Sequence, residues 1–402
     1  MNHWLLLLCL VTAVSLAAQP RAVSDDEVMK VHRSALLIDT HNDVPMRIVE
    51  GFDIGKASSK GHTDLPRLRQ GGVGAVFFAA YVSAQYARSR EAAHQALERI
   101  DAIRHDIAGR YPNDFALSLT AADIEAARRQ GKIAALIGIE GGHAIEDSLR
   151  VLRSFHALGA RYVTLTHSNT NNWADSSGDI DNPKVKHHNG LATFGREVVR
   201  EMNRLGMIVD VSHVSDKTFW DVLETSQAPV FASHSSCRAL ASLHRNMTDE
   251  MIVAMAKKGG VIQINFACEF LSEESAQAAK KLWPEYERLH AAARERFKDD
   301  SEGLKREVAR LEADARRKTP RAKLTDVVAH IDHVVKLAGI DAVGIGTDYD
   351  GITCAPEGLE DVSKFPNLTR ALLEKGYSAD NIRKIYGGNT LRLMRAVERA
   401  AK

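Results

Sequence analysis

A (β/α)8 barrel of the TIM type is the architecture predicted for this α/β chain, and three observations predict it. Eight apolar runs alternate with segments of helical spacing along 402 residues, the pattern of parallel strands joined by right-handed crossovers. Five of those runs stop at metal-binding side chains, as buried strands do where they meet a polar rim. No glycine fingerprint for a dinucleotide follows the first run, which argues against the alternative, an open doubly wound sheet.

The predicted strands are Ala35–Asp43, Val73–Val82, Ile133–Gly141, Arg161–His167, Met207–His213, Pro229–Ser235, Gly260–Phe266 and Ala342–Asp348. Helical spacing follows over Ser89–Ala108, Asp147–His156, Gly190–Leu205, Asp216–Glu224 and Thr248–Lys258. Thr248-Asp249-Glu250 reads as a helix start, a capping hydroxyl followed by acids at the positive end of the dipole. Between the seventh and eighth strands the rhythm breaks. Glu269–Lys323 carries 14 Lys or Arg and 12 Asp or Glu in 55 residues. Leu282, Tyr286, Leu289 and Ala293 are spaced for one helix face, and Leu304, Val308 and Leu311 for another. With a turn at Asp299-Asp300-Ser301 and Gly303, this is a charged helical hairpin inserted at the catalytic face, either a solvated excursion or a lid or dimer contact. No linker or repeat interrupts the rest, so residues 19–402 are expected to form one domain.

The first 18 residues hold no Asp, Glu, Lys or Arg, run apolar from Leu5 to Leu16 and end in Ala17-Ala18. They are expected to be a signal peptide cleaved near Ala18, since the apolar core is shorter than the ~20 residues of a membrane span. An exported protein, periplasmic or secreted, follows. Net charge is +1, which offers no field for nucleic acid or an anionic membrane. Beyond the leader, Cys237, Cys268 and Cys354 match no zinc motif. They are read as three buried thiols, with Cys237–Cys268 the first pair to test for a disulfide.

The strand ends carry the chemistry. His41 and Asp43 stand two apart on one strand, facing the same way ~6.6 Å apart, close enough to serve one metal. Glu140 ends the third strand, where its two oxygens suit a bridge. His213 and His234 end neighbouring strands. Grouping His41 with Asp43 and His213 with His234, with Glu140 between, gives a two-metal site whose imidazole and carboxylate donors suit zinc. Two such ions ~3.5–4 Å apart make hydroxide available at neutral pH. Asp348, ending the eighth strand, is placed to move a proton. His167 ends the fourth strand and reads as a further ligand, an oxyanion donor or a structural histidine. Arg245 is a candidate carboxylate clamp, although on sequence alone an exposed loop arginine explains it better.

The ordered motifs IDTHNDVP, GIEGGH, TLTHSNTNNWAD, DVSHVS, ASHSS, RNMTDE and GIGTDYDG, from Leu37 to about Asn389, closely resemble those of the membrane (renal-type) dipeptidases of the metal-dependent amidohydrolase superfamily. The resemblance implies a barrel with two zinc ions that hydrolyses dipeptides, tolerates a D-residue at the C-terminal position and in some members opens β-lactams. Carried across by motif, His41 and Asp43 hold one zinc, His213 and His234 the other, and Glu140 bridges. Asp348 is then the acid/base, His167 stabilises the tetrahedral intermediate and Arg245 binds the dipeptide carboxylate. A homodimer is also implied. Arg395–Lys402 lacks the apolar tail of lipid-anchored relatives, so no anchor is expected. Rival expectations are another hydrolysis on the same metals (lactone, phosphotriester, deaminase) and a non-catalytic zinc-binding protein.

Overall fold

The computed structural model describes residues 22–402, so the expected signal peptide lies outside the described residues. Nine parallel strands form one sheet: β1 Leu37–Asn42, β2 Val73–Tyr81, β3 Phe115–Leu117, β4 Ile133–Glu140, β5 Ala160–Thr164, β6 Ile208–Asp210, β7 Phe231–Ser235, β8 Val261–Ile264 and β9 Val343–Ile345. Their order is β1-β2-β4-β5-β6-β7-β8-β9, with β3 paired to the start of β4, Ile133 to Ala135. Eight of them are the strands read from the sequence; β3 is additional, three residues long.

The barrel closes through the residues at its rim. Asn42 bridges Tyr349 in parallel, Asp348 N donates to His41 O at 3.0 Å, and Asp43 N donates to Tyr349 O at 2.8 Å. Lower down, Thr40 Oγ1 reaches both Ser233 O at 2.6 Å and Ile345 O at 3.0 Å. A strand buried on both faces reads as a continuous apolar run, and β1, β4, β7 and β8 are buried at every position.

Large aromatic rings fill the interior below the rim. Tyr162 lies with its centroid 5.4 Å from Phe77 and 5.3 Å from Phe231. Gly138 makes room for it: a Cβ there would sit 1.9 Å from the Tyr162 ring. Helices cover the outside, several with the caps their sequences announce. Thr248 accepts from Met251 N at 3.3 Å, the start expected for helix Asp249–Lys257, and Thr120 and Asp123 form a reciprocal capping box.

The insertion is a helical hairpin, Glu273–Arg296 and Ser301–Lys318. Tyr286, Ala293 and Leu311 form its own small core, flanked by Leu282, Leu304 and Phe297. Leu289, expected on the packed face, is instead exposed and lies outside that core. The hairpin touches loops on two sides of the rim. Lys280 Nζ donates to Ser242 O at 2.5 Å beyond β7, and Lys305 pairs with Glu50 at 3.5 Å beyond β1.

The cysteine expectation is corrected. Cys268 bonds to Cys354, not to Cys237, with their Cα atoms 5.5 Å apart; Cys237 is the buried free thiol. The reason is topological: Cys268 follows β8 and Cys354 follows β9, its neighbour, so the two loops leave the rim side by side. Cys237 instead packs under His330, whose Nδ1 accepts from its backbone N at 3.0 Å. Among the described residues no helix is long and apolar enough to cross a membrane.

Candidate metal centre

The rim brings all eight residues singled out in the sequence into one cluster. Glu140 stands at its centre, and its two oxygens face different partners. Oε2 lies 3.3 Å from His41 Nε2, which is in turn 3.3 Å from Asp43 Oδ2. Oε1 lies 3.0 Å from His213 Nε2 and 3.2 Å from His234 Nε2. The two imidazole nitrogens face each other at 2.9 Å.

Such an arrangement is costly without a cation. His41 Nε2 and Asp43 Oδ1 are buried with no hydrogen-bond partner, a penalty folded proteins rarely leave uncompensated. Donor atoms of His41, Asp43 and Glu140 converge within 4.8 Å, as do those of Glu140, His167 and His213, and of His41, His234 and Asp348. The donors therefore fit metal ions on both sides of Glu140. Burial holds His213 and His234 well below the usual imidazole range, leaving them in the neutral form that ligates. Burial alone would raise Glu140; the facing His41, with His213 and His234, overrides it and keeps the carboxylate ionised.

A layer behind the candidate ligands fixes their rings. Tyr162 Oη lies 2.8 Å from His41 Nδ1. Ser233 Oγ lies 2.7 Å from His234 Nδ1 and donates to Asp210 Oδ2 at 2.6 Å. Asp210 also takes backbone N–H bonds from Ser212 and Ser233. Such partners hold the tautomer and aim of a ligating imidazole.

Asp348 lies past the end of β9 with φ of +63°, and His213 past the end of β6 with φ of +67°. Left-handed backbone in residues other than glycine stores strain, which functional sites tolerate when the surroundings enforce it. Burial first, then the nearby Asp43, pushes the Asp348 carboxyl up to about 8, and Asn265 Nδ2 donates to its Oδ2 at 2.9 Å. A carboxyl tuned toward neutrality can both take and give a proton.

His167 packs against His213 with ring centroids 4.5 Å apart and against Tyr81 at 4.8 Å. Burial lowers it to about 4, so the ring is neutral. Arg245 is not a free loop arginine. It donates to Ser235 Oγ at 2.7 Å and His234 O at 2.6 Å, its Nε is buried and unpaired, and its guanidinium lies 5.3 Å from the Phe270 ring centre. Burial lowers it to about 10, which leaves it cationic.

Residues 25–402 match the family described as membrane dipeptidase, peptidase family M19. The chain belongs to this family. Solved structures agree. The probable dipeptidase PvdM from Pseudomonas aeruginosa is 26% identical with a TM-score of 0.78, over 94% of this chain and 99% of that one. A metallopeptidase from Rhodobacter sphaeroides, bound to a phosphinate mimic of L-Ala-D-Ala, is 26% identical with a TM-score of 0.72, over 90% and 99%. A further M19 dipeptidase is 27% identical with a TM-score of 0.73, over 90% and 98%. This M19 chain is thus a metallo-dipeptidase built on the barrel described above.

Three contributors to the cluster were not foreseen. Asn265 had a legible signal, since it ends the apolar run of β8 as the ligands end theirs. Tyr162 and Ser233 sit inside apolar runs, and only the closed barrel brings them beneath the histidines.

Proposed function

We propose that this M19 dipeptidase is an exported enzyme with two zinc ions, His41 and Asp43 holding one, His213 and His234 the other, and Glu140 bridging. The split of the two Glu140 oxygens between His41 on one side and His213 and His234 on the other carries this reading. Zinc supplies, when bound, a water made nucleophilic at neutral pH and polarisation of the peptide carbonyl.

The chain's own residues do the remainder. Arg245 takes the dipeptide's C-terminal carboxylate in its bidentate fork. Glu140 attracts the α-amine at the other end, and the two anchors together limit the substrate to two residues. Asp348 accepts the proton of the attacking water and gives it to the leaving nitrogen. His167, neutral and above His213, donates to the oxygen on which charge develops. A D-residue is accepted at the C-terminal position, in keeping with the L-Ala-D-Ala mimic bound to the R. sphaeroides protein. The leader segment directs export, residues 19–402 act as one domain, and a homodimer is the working assembly.

The test is metal analysis of purified protein together with steady-state hydrolysis of L-L, L-D and D-L dipeptides, tripeptides and one β-lactam, with and without chelator. Two zinc per chain and activity confined to dipeptides, lost on chelation and restored by zinc, are expected. Zinc-independent turnover, or tripeptides cleaved as fast as dipeptides, would overturn the assignment.

A further inference from the structure

His330 is a buried titratable group for which the reading above has no task. It stands on helix Leu324–Ala338, which leads into β9, and is fully enclosed. Burial lowers its imidazole to about 4, so the ring is neutral. Each ring nitrogen holds one backbone group. Nδ1 accepts from Cys237 N at 3.0 Å, so Nε2 carries the proton and donates to Leu271 O at 3.0 Å.

Those two backbone groups belong to the two segments that frame Arg245. Cys237 opens the loop that carries it. Cys237 bridges Met247 in parallel, Met247 N donates to Ser236 O at 2.9 Å, and Arg238 N donates to Met247 O at 2.8 Å. Fixing Cys237 therefore fixes both feet of a closed loop, with Arg245 two residues before the second foot. Leu271 ends the short helix Cys268–Leu271, whose Phe270 ring centre lies 5.3 Å from the Arg245 guanidinium. Asn246, buried and next to Arg245, ties the same two segments again. Its Nδ2 donates to Ala241 O at 2.8 Å and to Phe270 O at 3.0 Å.

One imidazole thus joins the loop that bears the guanidinium to the helix that bears the ring beside it. A guanidinium fork selects a carboxylate only while its plane is held to meet the two oxygens, and misplacing a positioned group is costly. On the reading that Arg245 binds the dipeptide carboxylate, we propose that His330 is a positioning residue for substrate recognition, setting the clamp without touching the substrate. His32 supplies the contrast. It is also buried and bonded at both nitrogens, to Thr369 Oγ1 at 2.7 Å and Gly71 O at 2.9 Å. Gly71, however, precedes β2 at the end away from the rim, and Thr369 lies on helix Phe365–Glu374.

The test measures Tm and steady-state hydrolysis of Ala-Ala and its C-terminal amide for zinc-loaded wild type, H330L, H32L, R245A and R245A combined with H330L. Both histidine variants should lose Tm, since each strands two buried hydrogen-bonding partners. Only H330L should raise KM for Ala-Ala, by about tenfold, the worth of one charged hydrogen bond of the fork. Its kcat should stay within about twofold, as when binding alone is lost. The amide, which offers no carboxylate, should be cleaved by H330L as slowly as by wild type, and H330L should add nothing to the KM of R245A. An unaltered KM in folded H330L, a rise that persists in the R245A background, or an equal rise in H32L would overturn the proposal. Should H330L fail to fold, H330Q keeps a donor for Leu271 O but loses the acceptor for Cys237 N. It should still raise KM several-fold, and an unaltered KM there overturns the proposal as well. An R245A protein with unaltered KM would remove the clamp reading and this inference together, an outcome distinct from a working clamp that His330 does not set.

Discussion

The rim cluster and the inserted hairpin are both dense in charge, yet they hold their charges in opposite ways. At the rim, carboxylates and imidazoles are buried or half-buried, fixed by strand ends and second partners, and two of them stand on left-handed backbone. In the hairpin, acids and bases pair with residues three or four positions away on the same helix, as Glu307 with Arg310 and Asp314 with Lys318. Pairs of the second kind are open to water and contribute little each. Rim groups are costly to keep and matter through what they bind. The lesson is that charge density alone says nothing about function; the means of satisfaction does. Substitutions should therefore separate into those that abolish chemistry while sparing the fold and those that loosen the hairpin while sparing chemistry.

The largest expected effect is at Asp348. Asp348→Asn should lower kcat by about 10²–10⁴-fold, the usual worth of a positioned acid/base, with circular dichroism unchanged. A loss below about tenfold would take Asp348 out of the proton transfer. Next is Arg245→Ala, which should weaken transition-state binding of dipeptides by about 2–5 kcal/mol, the cost of stranding a buried charge partner. Dipeptide amides, which offer Arg245 no carboxylate, should be poor substrates of both proteins; if Arg245→Ala left KM for free dipeptides unaltered, the clamp would be refuted.

A third change probes the layer behind the ligands. Tyr162→Phe removes only the hydroxyl against His41 Nδ1 and should lower zinc affinity or activity about 10–100-fold, read by chelator competition. Smaller consequences for catalysis are expected in the hairpin. Leu311→Ala empties its small core and should speed amide exchange across Glu273–Lys318 while kcat on Ala-Ala stays within about twofold, since local opening is uncoupled from the barrel. A comparable loss of kcat would make the hairpin part of the chemistry and erase the contrast. Glu307→Gln, at the end of the scale, should leave the thermal midpoint where it was.

Much of this was legible before any coordinates, for a physical reason. A buried parallel strand must be apolar throughout, and a polar residue that ends it stands at the rim, so His41, Glu140, His213, His234 and Asp348 announce both fold and site in a few residues each. The signal fails where information is held in space rather than along the chain. β3 is too short to show a period. The Cys268–Cys354 pairing depends on two loops leaving adjacent strands, which spacing does not encode. Tyr162 looks like any core aromatic until the barrel closes, and Leu289 matches a helical face yet lies outside the hairpin core. Arg245 is the intermediate case: its residue type fitted a clamp, but only its bonds to Ser235 Oγ and His234 O and its buried, unpaired Nε separate it from a surface arginine.

The two ends of the hairpin meet. Ser275 Oγ donates to Pro320 O at 2.6 Å, and a few residues on, Leu324 N donates to Glu357 O at 2.9 Å. A segment whose entry and exit are already side by side can be shortened, lengthened or exchanged for a tight turn at small entropic expense. In engineering terms, residues 276–319 form a cassette. The barrel offers a fixed socket for it beside the rim, so a library of replacement segments could be screened for altered substrate choice without touching a single side chain of the rim cluster.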